Sequence, residues 1–218
     1  MRRPVSNNTE EVFLAEALGH ACARSVKDPV SGKLLLPKGA LIDPRAVARL
    51  AAQGIDRVMV YHKPRVSIII IGEGLLSPGT ASEPGRSYDF SGMALKAALE
   101  TMKIRPVFLR RLSDEPKKIA QVVSFAVNQS DVVVLVAKEL EKSVSGIRRF
   151  IKDLRAQFIV PEKGDSPSRR TAVQKGMKPI YVLPYDMDLI FEHFDNTIRP
   201  AILSFMGCAR LSEPSAAL

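Results

Sequence analysis

The 218-residue chain has no tryptophan, and phenylalanine and tyrosine bring its aromatic fraction to only 6%. A base-stacking platform needs a row of such rings, so the composition disfavours nucleic acid as a partner. Cysteine is nearly absent. Cys22 and Cys208 stand far apart and match no metal or redox spacing, which reads as reduced thiols in a cytoplasmic protein. His20, His62 and His193 share no metal spacing either. No segment reaches the roughly 18 apolar residues of a membrane span, so no membrane partner is expected. Met1-Arg2-Arg3-Pro4 is basic, but no apolar leader segment follows it. A Gly-x-Ser-x-Gly elbow, a Walker loop and a Cys-x-x-Cys pair are all missing. Standard hydrolase, NTPase and redox chemistry therefore find no support.

What is present is positive charge, a formal +9 with a pI near 9.7. That balance favours a small anionic ligand such as a phosphate ester or oxyanion. The cations are scattered, with pairs only at Lys117-Lys118, Arg148-Arg149 and Arg169-Arg170. An apolar fraction of 46% supports a substantial core. The length suits one α/β domain plus a small lobe.

Val66 to Ile71 is an almost unbroken β-branched run, the pattern of a parallel strand covered on both faces. It ends at Gly72-Glu73-Gly74, and a Pro/Gly-rich loop leads on to a helix bearing Leu95, Ala98, Leu99 and Met102. A buried strand, a glycine loop and a helix make the crevice of an open α/β sheet. Further strands are expected at Pro106–Leu109, Asp131–Val136, Phe158–Val160 and Ile180–Leu183. Between them, helical spacing marks Ile119 to Val127 and Ile147 to Leu154, and a closing helix runs from about Ile190 to Phe205 with a kink at Pro200. Ser113-Asp114-Glu115-Pro116 reads as a capped helix start with acids in the first turn. Pro161 to Gly176 reads as a basic surface loop. Strands alternating with helices imply α/β architecture: three α/β/α layers around a parallel-rich sheet.

Before residue 63 the pattern differs. A short helix-like patch surrounds Phe13, Leu14 and Ala17-Leu18, and a helix capped by Asp43 with Pro44 in its first turn ends at Gly54. Ile55 to Tyr61 reads as a half-buried strand. The expected division is a small α+β lobe over residues 1–62, a larger domain over 63–210, and a tail over 211–218.

The series Pro64-Arg65-Val66 … Gly72-Glu73-Gly74-Leu75 … Pro78-Gly79 … Pro84-Gly85 … Asp89-Phe90-Ser91 resembles the molybdopterin-binding domain of MogA/MoeA-type proteins. That family reads Pro-Arg-Val, then Thr-Gly-Asp-Glu-Leu, Pro-Gly and Asp-Ser-Asn. Lys178-Pro179-Ile180-Tyr181-Val182-Leu183-Pro184 resembles its Lys-Pro-Val-Phe-Gly-Leu-Pro, and Ile198-Arg199-Pro200 with Met206-Gly207 resembles its closing helix. Upstream, Glu16-Ala17-Leu18-Gly19 and Leu36-Pro37-Lys38-Gly39 resemble the small lobe preceding that domain in MoeA-like proteins. The resemblance covers about residues 12 to 207. It implies a divergent chain, short relative to full-length MoeA-type molybdopterin molybdenumtransferases. Three motifs depart from the family: Ile71-Gly72-Glu73-Gly74, Val136-Ala137-Lys138-Glu139 in place of a glycine turn, and Pro184-Tyr185-Asp186-Met187.

The resemblance and the strand ends together nominate the site. Gly72 and Gly74 can bring backbone N–H groups to a phosphate or simply make a turn. Glu73 and Asp89 stand where the family has catalytic acids, and Asp89 can equally cap a helix. Lys138 either neutralises a phosphate or fills the pocket. Ser143 and Ser145 suit phosphate contact or helix capping, and Pro184 and Asp186 complete the ligand set. Asp186 with Asp188 can hold Mg²⁺ or complement a helix dipole. The implied ligand is molybdopterin or a related phosphorylated pterin. The resemblance also implies self-association into a homo-oligomer such as a dimer. The altered glycine motifs favour a binder with a degenerate active site. The alternatives are an active Mg²⁺-dependent molybdopterin adenylyl- or molybdenumtransferase, and a non-binding scaffold of the same fold.

Overall fold

The computed structural model describes residues 9–21, 23–138, 156–160 and 177–208. Cys22, the helix expected at Ile147–Leu154, the loop from Pro161 to Gly176, and the tail lie outside them. The chain forms two compact units, residues 1–63 with 200–218, and Pro64–Arg199.

In the first unit, β1 (Thr9–Phe13) pairs antiparallel with β4 (Arg57–Tyr61), matching Thr9 to Tyr61 and Phe13 to Arg57. Between them lie β2 (Val26–Lys27), paired antiparallel with β3 (Leu34–Leu36), and α1 (Pro44–Ala51). The Asp43 carboxylate accepts from Ala46 N–H at 2.6 Å, and Pro44 gives up no helical bond at the first turn. The helix-like patch near Phe13 is instead strand followed by turns. Phe13 sits half exposed beneath the Arg57 guanidinium, while Leu14 and Ala17 reach a core with Ile42, Leu50, Val58 and Val60. Backbone pairing with β4 satisfies more groups there than one helical turn can. Gly207 completes this unit with a positive φ of 65°, and a Cβ there would lie 2.7 Å from the Tyr61 ring.

In the second unit, β5 (Val66–Ile71) is buried at every residue. After it come β6 (Leu75–Leu76), β7 (Ser87–Tyr88), α2 (Ser91–Thr101), β8 (Phe108–Leu112), α3 (Pro116–Gln129), β9 (Val132–Ala137), β10 (Ala156–Ile159) and β11 (Lys178–Pro184). The main sheet is wholly parallel, in the order β10-β11-β9-β5-β8. Because side chains alternate, Ile69, Ile71, Val133, Leu135, Ile180 and Val182 share one face with Ile119, Val123 and Val127 of α3. α2 packs beside β5, and Gly92 approaches Ile70, which belongs to the opposite face. α4 (Met187–His193) packs beside β11. The α/β expectation is met, with helices on both faces of the sheet.

Three local expectations change. The second strand begins at Phe108 rather than Pro106 and runs on through Arg110 and Arg111, which an edge strand tolerates because one side is open. α3 starts at Pro116 after Glu115, which makes no side-chain cap bond, so the acids precede the helix instead of filling its first turn. The closing helix does not simply kink. A π-turn over Phe194–Ile198 joins α4 to α5 (Arg199–Phe205), with Arg199 N–H reaching Phe194 O. Proline at 200 lacks an N–H and its ring crowds the carbonyl four residues back, which widens the turn.

Lys178 anchors the base of the sheet. Its ammonium donates to the carbonyls of Val127 and Ser130, both at 2.7 Å, at the C-terminus of α3. Beside it the fully buried hydroxyls of Ser67 and Ser130 hydrogen-bond to each other.

Candidate functional site

The chain passes from β5 out to β8 and then back across to β9, so the winding direction reverses between β5 and β9. The C-terminal tips of those two strands, Ile71 and Ala137 in register, lie at that reversal, the position where open α/β sheets bind ligands. Gly72, Glu73, Gly74 and Lys138 follow directly on those tips, and Pro184 pairs with Ala137 from the next strand.

Three backbone donors at these tips are already used. Gly72 N–H donates to Leu112 O at 3.0 Å, Lys138 N–H to Ile71 O at 3.3 Å, and Tyr185 N–H to Ala137 O at 3.2 Å. Gly72 thus does not offer its amide to a phosphate. Its missing side chain matters for another reason: a Cβ would lie 2.9 Å from Leu75 Cδ1 and 3.5 Å from Lys138 Cδ. Gly74 takes φ +67°, a turn conformation that favours glycine, and its carbonyl accepts from Ser87 N–H at 3.1 Å.

Side chains gather at the same tips. Lys138 Nζ reaches Ser87 Oγ at 3.4 Å and lies 5.4 Å from the centre of the Tyr185 ring. Tyr185 O–H donates to Tyr88 O at 3.2 Å, and the ring packs on Phe90 with centroids 4.7 Å apart. Burial, and next the charge of Asp89, push the Tyr185 hydroxyl above its ordinary pKa, so it stays a donor at neutral pH. From β8, Arg111 donates to Ser77 Oγ and stands 4.0 Å from Asp89 Oδ2. The sequence reading missed Arg111 by ending the strand early. The alternation Phe108, Arg110, Leu112 against Leu109, Arg111 held the clue.

Asp89 is buried, and its carboxylate is occupied. Oδ1 accepts from Ser91 Oγ at 2.8 Å and from Gly92 N–H at 3.0 Å, which serves α2 as a cap. Gly92 is needed for this approach, since a Cβ there would lie 2.8 Å from Asp89 Oδ2. Glu73 is exposed and makes no hydrogen bond or ion pair with another described residue. Asp186 is the N-cap of α4, accepting from Leu189 N–H at 2.9 Å, and Asp188 is exposed in the first turn. Among the described residues no group of three His, Cys, Asp or Glu could hold a metal. The acids present do not fit a Mg²⁺ centre, since one is spent as a cap and the other complements the dipole. Ser143 and Ser145 lie outside the described residues. A cavity of about 290 Å³ between α2 and the α4–π-turn segment is lined by Ala94, Ala98, Phe191 and Arg199 among others, and holds none of these side chains.

No family model matches the chain. It is 25% identical over 178 residues to a molybdopterin molybdenumtransferase of Staphylococcus epidermidis, covering 81% of this chain and 42% of that relative. Over 186 residues it is 25% identical to molybdopterin molybdenumtransferase 1 of Mycobacterium tuberculosis, covering 84% and 44%. Among solved structures, a molybdopterin biosynthesis MoeA protein from Pyrococcus horikosii superposes with a TM-score of 0.73 at 19% identity, over 91% of this chain and 75% of that one. The chain is similar in sequence to these molybdenumtransferases and shares the fold of the MoeA protein. It spans less than half the length of the curated relatives it matches. No helix among its described residues is long and apolar enough to cross a membrane.

Proposed function

We propose that the second unit is a binding module for a phosphorylated pterin of the molybdopterin type, gripped by side chains at the β5 and β9 tips. The observation that carries this is the pair of cations with hydroxyl partners: Lys138 with Ser87, and Arg111 with Ser77. A guanidinium and an ammonium beside hydroxyls suit a phosphate monoester, and charge-assisted bonds are the strong ones. The Tyr185 and Phe90 rings supply a surface on which a heterocycle can stack. Metal insertion is not part of this reading, because Asp89 is committed to α2 and Arg111, and Glu73 stands alone. The module works in the cytoplasm, and self-association belongs to the same reading. Sedimentation tests the latter.

Isothermal titration with molybdopterin, and with inorganic pyrophosphate as a bare headgroup, is the test. Lys138→Gln and Arg111→Gln should each weaken binding about tenfold, the equivalent of roughly 1.4 kcal/mol for a lost charged hydrogen bond. Wild-type affinity in both variants, or no heat at high micromolar ligand, would sink the proposal.

One observation favours a second reading, a scaffold whose crevice is closed. Tyr185 is pinned over the β9 tip by Tyr88, Phe90 and Lys138. If this is the resting and only state, Tyr185→Ala should create binding that the wild type lacks.

A further inference from the structure

We propose that the open edge of the main sheet, strand β8, accepts an extended acidic segment of another protein by strand addition. β8 bonds to β5 on one side and is the terminal strand of the sheet on the other, among the described residues. The phase of its ladder is fixed at its end, where Leu112 O accepts from Gly72 N–H. With a period of two residues, Phe108, Arg110 and Leu112 turn their backbone groups toward β5, so Leu109 and Arg111 present N–H and C=O outward. Those outward groups are what a docking strand would pair.

Chemistry on both sides of the edge selects the occupant. Val107 is 52%, Leu109 36% and Phe125 51% exposed, and Phe108 and Phe125 stack with centroids 5.4 Å apart. Edge protection calls for charge and does not explain this apolar surface. The apolar residues come first along the strand, and the cations follow at Arg110 and Arg111. Across Thr101 to Leu112 the sequence carries Lys103, Arg105, Arg110 and Arg111 and no acid. A second copy of the chain would set arginines against arginines across the shared edge, which is unfavourable. A partner strand carrying acids opposite Arg110 and Arg111, and β-branched residues opposite Phe108 and Leu109, complements it. Antiparallel docking reads that partner as acid-acid-apolar-apolar; parallel docking reads it in reverse.

The test uses the full chain and fluorescein-labelled, end-blocked peptides, read by anisotropy. The peptides are Ser-Glu-Glu-Val-Val-Thr, its reverse-order isomer Ser-Val-Val-Glu-Glu-Thr, and a control with lysines replacing the glutamates. One acidic peptide should bind saturably, and its order reports the direction. The lysine peptide should bind at least tenfold more weakly. Leu109→Pro removes an outward N–H while sparing the inward ladder, and should weaken binding at least tenfold. Arg110→Glu should weaken it at least fivefold and reverse the charge preference toward the lysine peptide. Arg110 lies outside the strand-tip site, so pyrophosphate titration of this variant separates failure here from failure there. Three outcomes overturn the proposal: no saturable binding at millimolar peptide, equal affinity for the lysine control, or wild-type affinity in the Arg110 variant with no charge reversal. Self-association through β8, abolished by Leu109→Pro, also overturns it.

Discussion

Lys178→Met tests how the base of the sheet is held. The wild-type ammonium makes two bonds of 2.7 Å to carbonyls at the end of α3, where the helix dipole also favours a cation. Methionine keeps most of the stem's packing and removes both donors. Bonds to a charged group contribute about 1.5–3 kcal/mol each, so a total loss of about 3 kcal/mol, the lower end for two such bonds, is expected. Urea dependence of about 2 kcal/mol per molar then lowers the midpoint by roughly 1.5 M. Near-ultraviolet circular dichroism follows the right unit, because Tyr88, Tyr181 and Tyr185 all lie within Pro64–Arg199. A shift below about 0.3 M with an unchanged slope would refute the assignment of Lys178 as the anchor of α3.

Ser67→Ala or Ser130→Ala leaves the other buried hydroxyl unpaired and should cost about 1–2 kcal/mol in the same assay, whereas the double variant should cost less than the two singles added together. Tyr181 is fully buried with its hydroxyl unpartnered among the described residues, and burial pushes its pKa up to about 12. Tyr181→Phe should therefore raise stability by about 1 kcal/mol, read as a higher urea midpoint. Burial, then the charge of Lys63, holds the His20 pKa below 6.5. The folded state thus resists protonation, so this contribution is complete above pH 6.5 and is lost as pH falls below it; His20→Gln should flatten that part of the stability–pH curve. Gly207→Ala meets the Tyr61 ring at 2.7 Å with φ +65°, and should lower the first unit's thermal midpoint by several degrees.

The parallel sheet was legible because Val66–Ile71 and Val132–Ala137 are apolar throughout, which only two covered faces explain. α1 was legible because Asp43 and Pro44 write its start chemically. Phe13 misled because one exposed ring at helical spacing cannot announce that a strand more than forty residues later will pair with it. At the strand tips, glycine spacing marked where β5 ends but offered the Gly72 amide to a ligand. The Gly72 amide belongs to β8, a fact set by long-range register. Arg111 was hidden for the same reason, since its partners Ser77 and Asp89 lie beyond β6 and at the start of α2, far from it in sequence. Asp89 was legible as both acid and cap, and only its burial beside Gly92 shows that the cap consumes it.

The seat of Gly207 against Tyr61 carries a kinetic consequence. During synthesis the segment up to Lys63 is made first of these pieces, and the one that finishes its unit is translated after everything between Pro64 and Arg199. While that intervening chain is unfolded, bringing the two pieces together means closing a very long loop. Once it has folded, its two ends are held by a rigid body and the closure entropy has largely been spent. The unit holding β1 and Gly207 therefore cannot be completed before Pro64–Arg199 has been made.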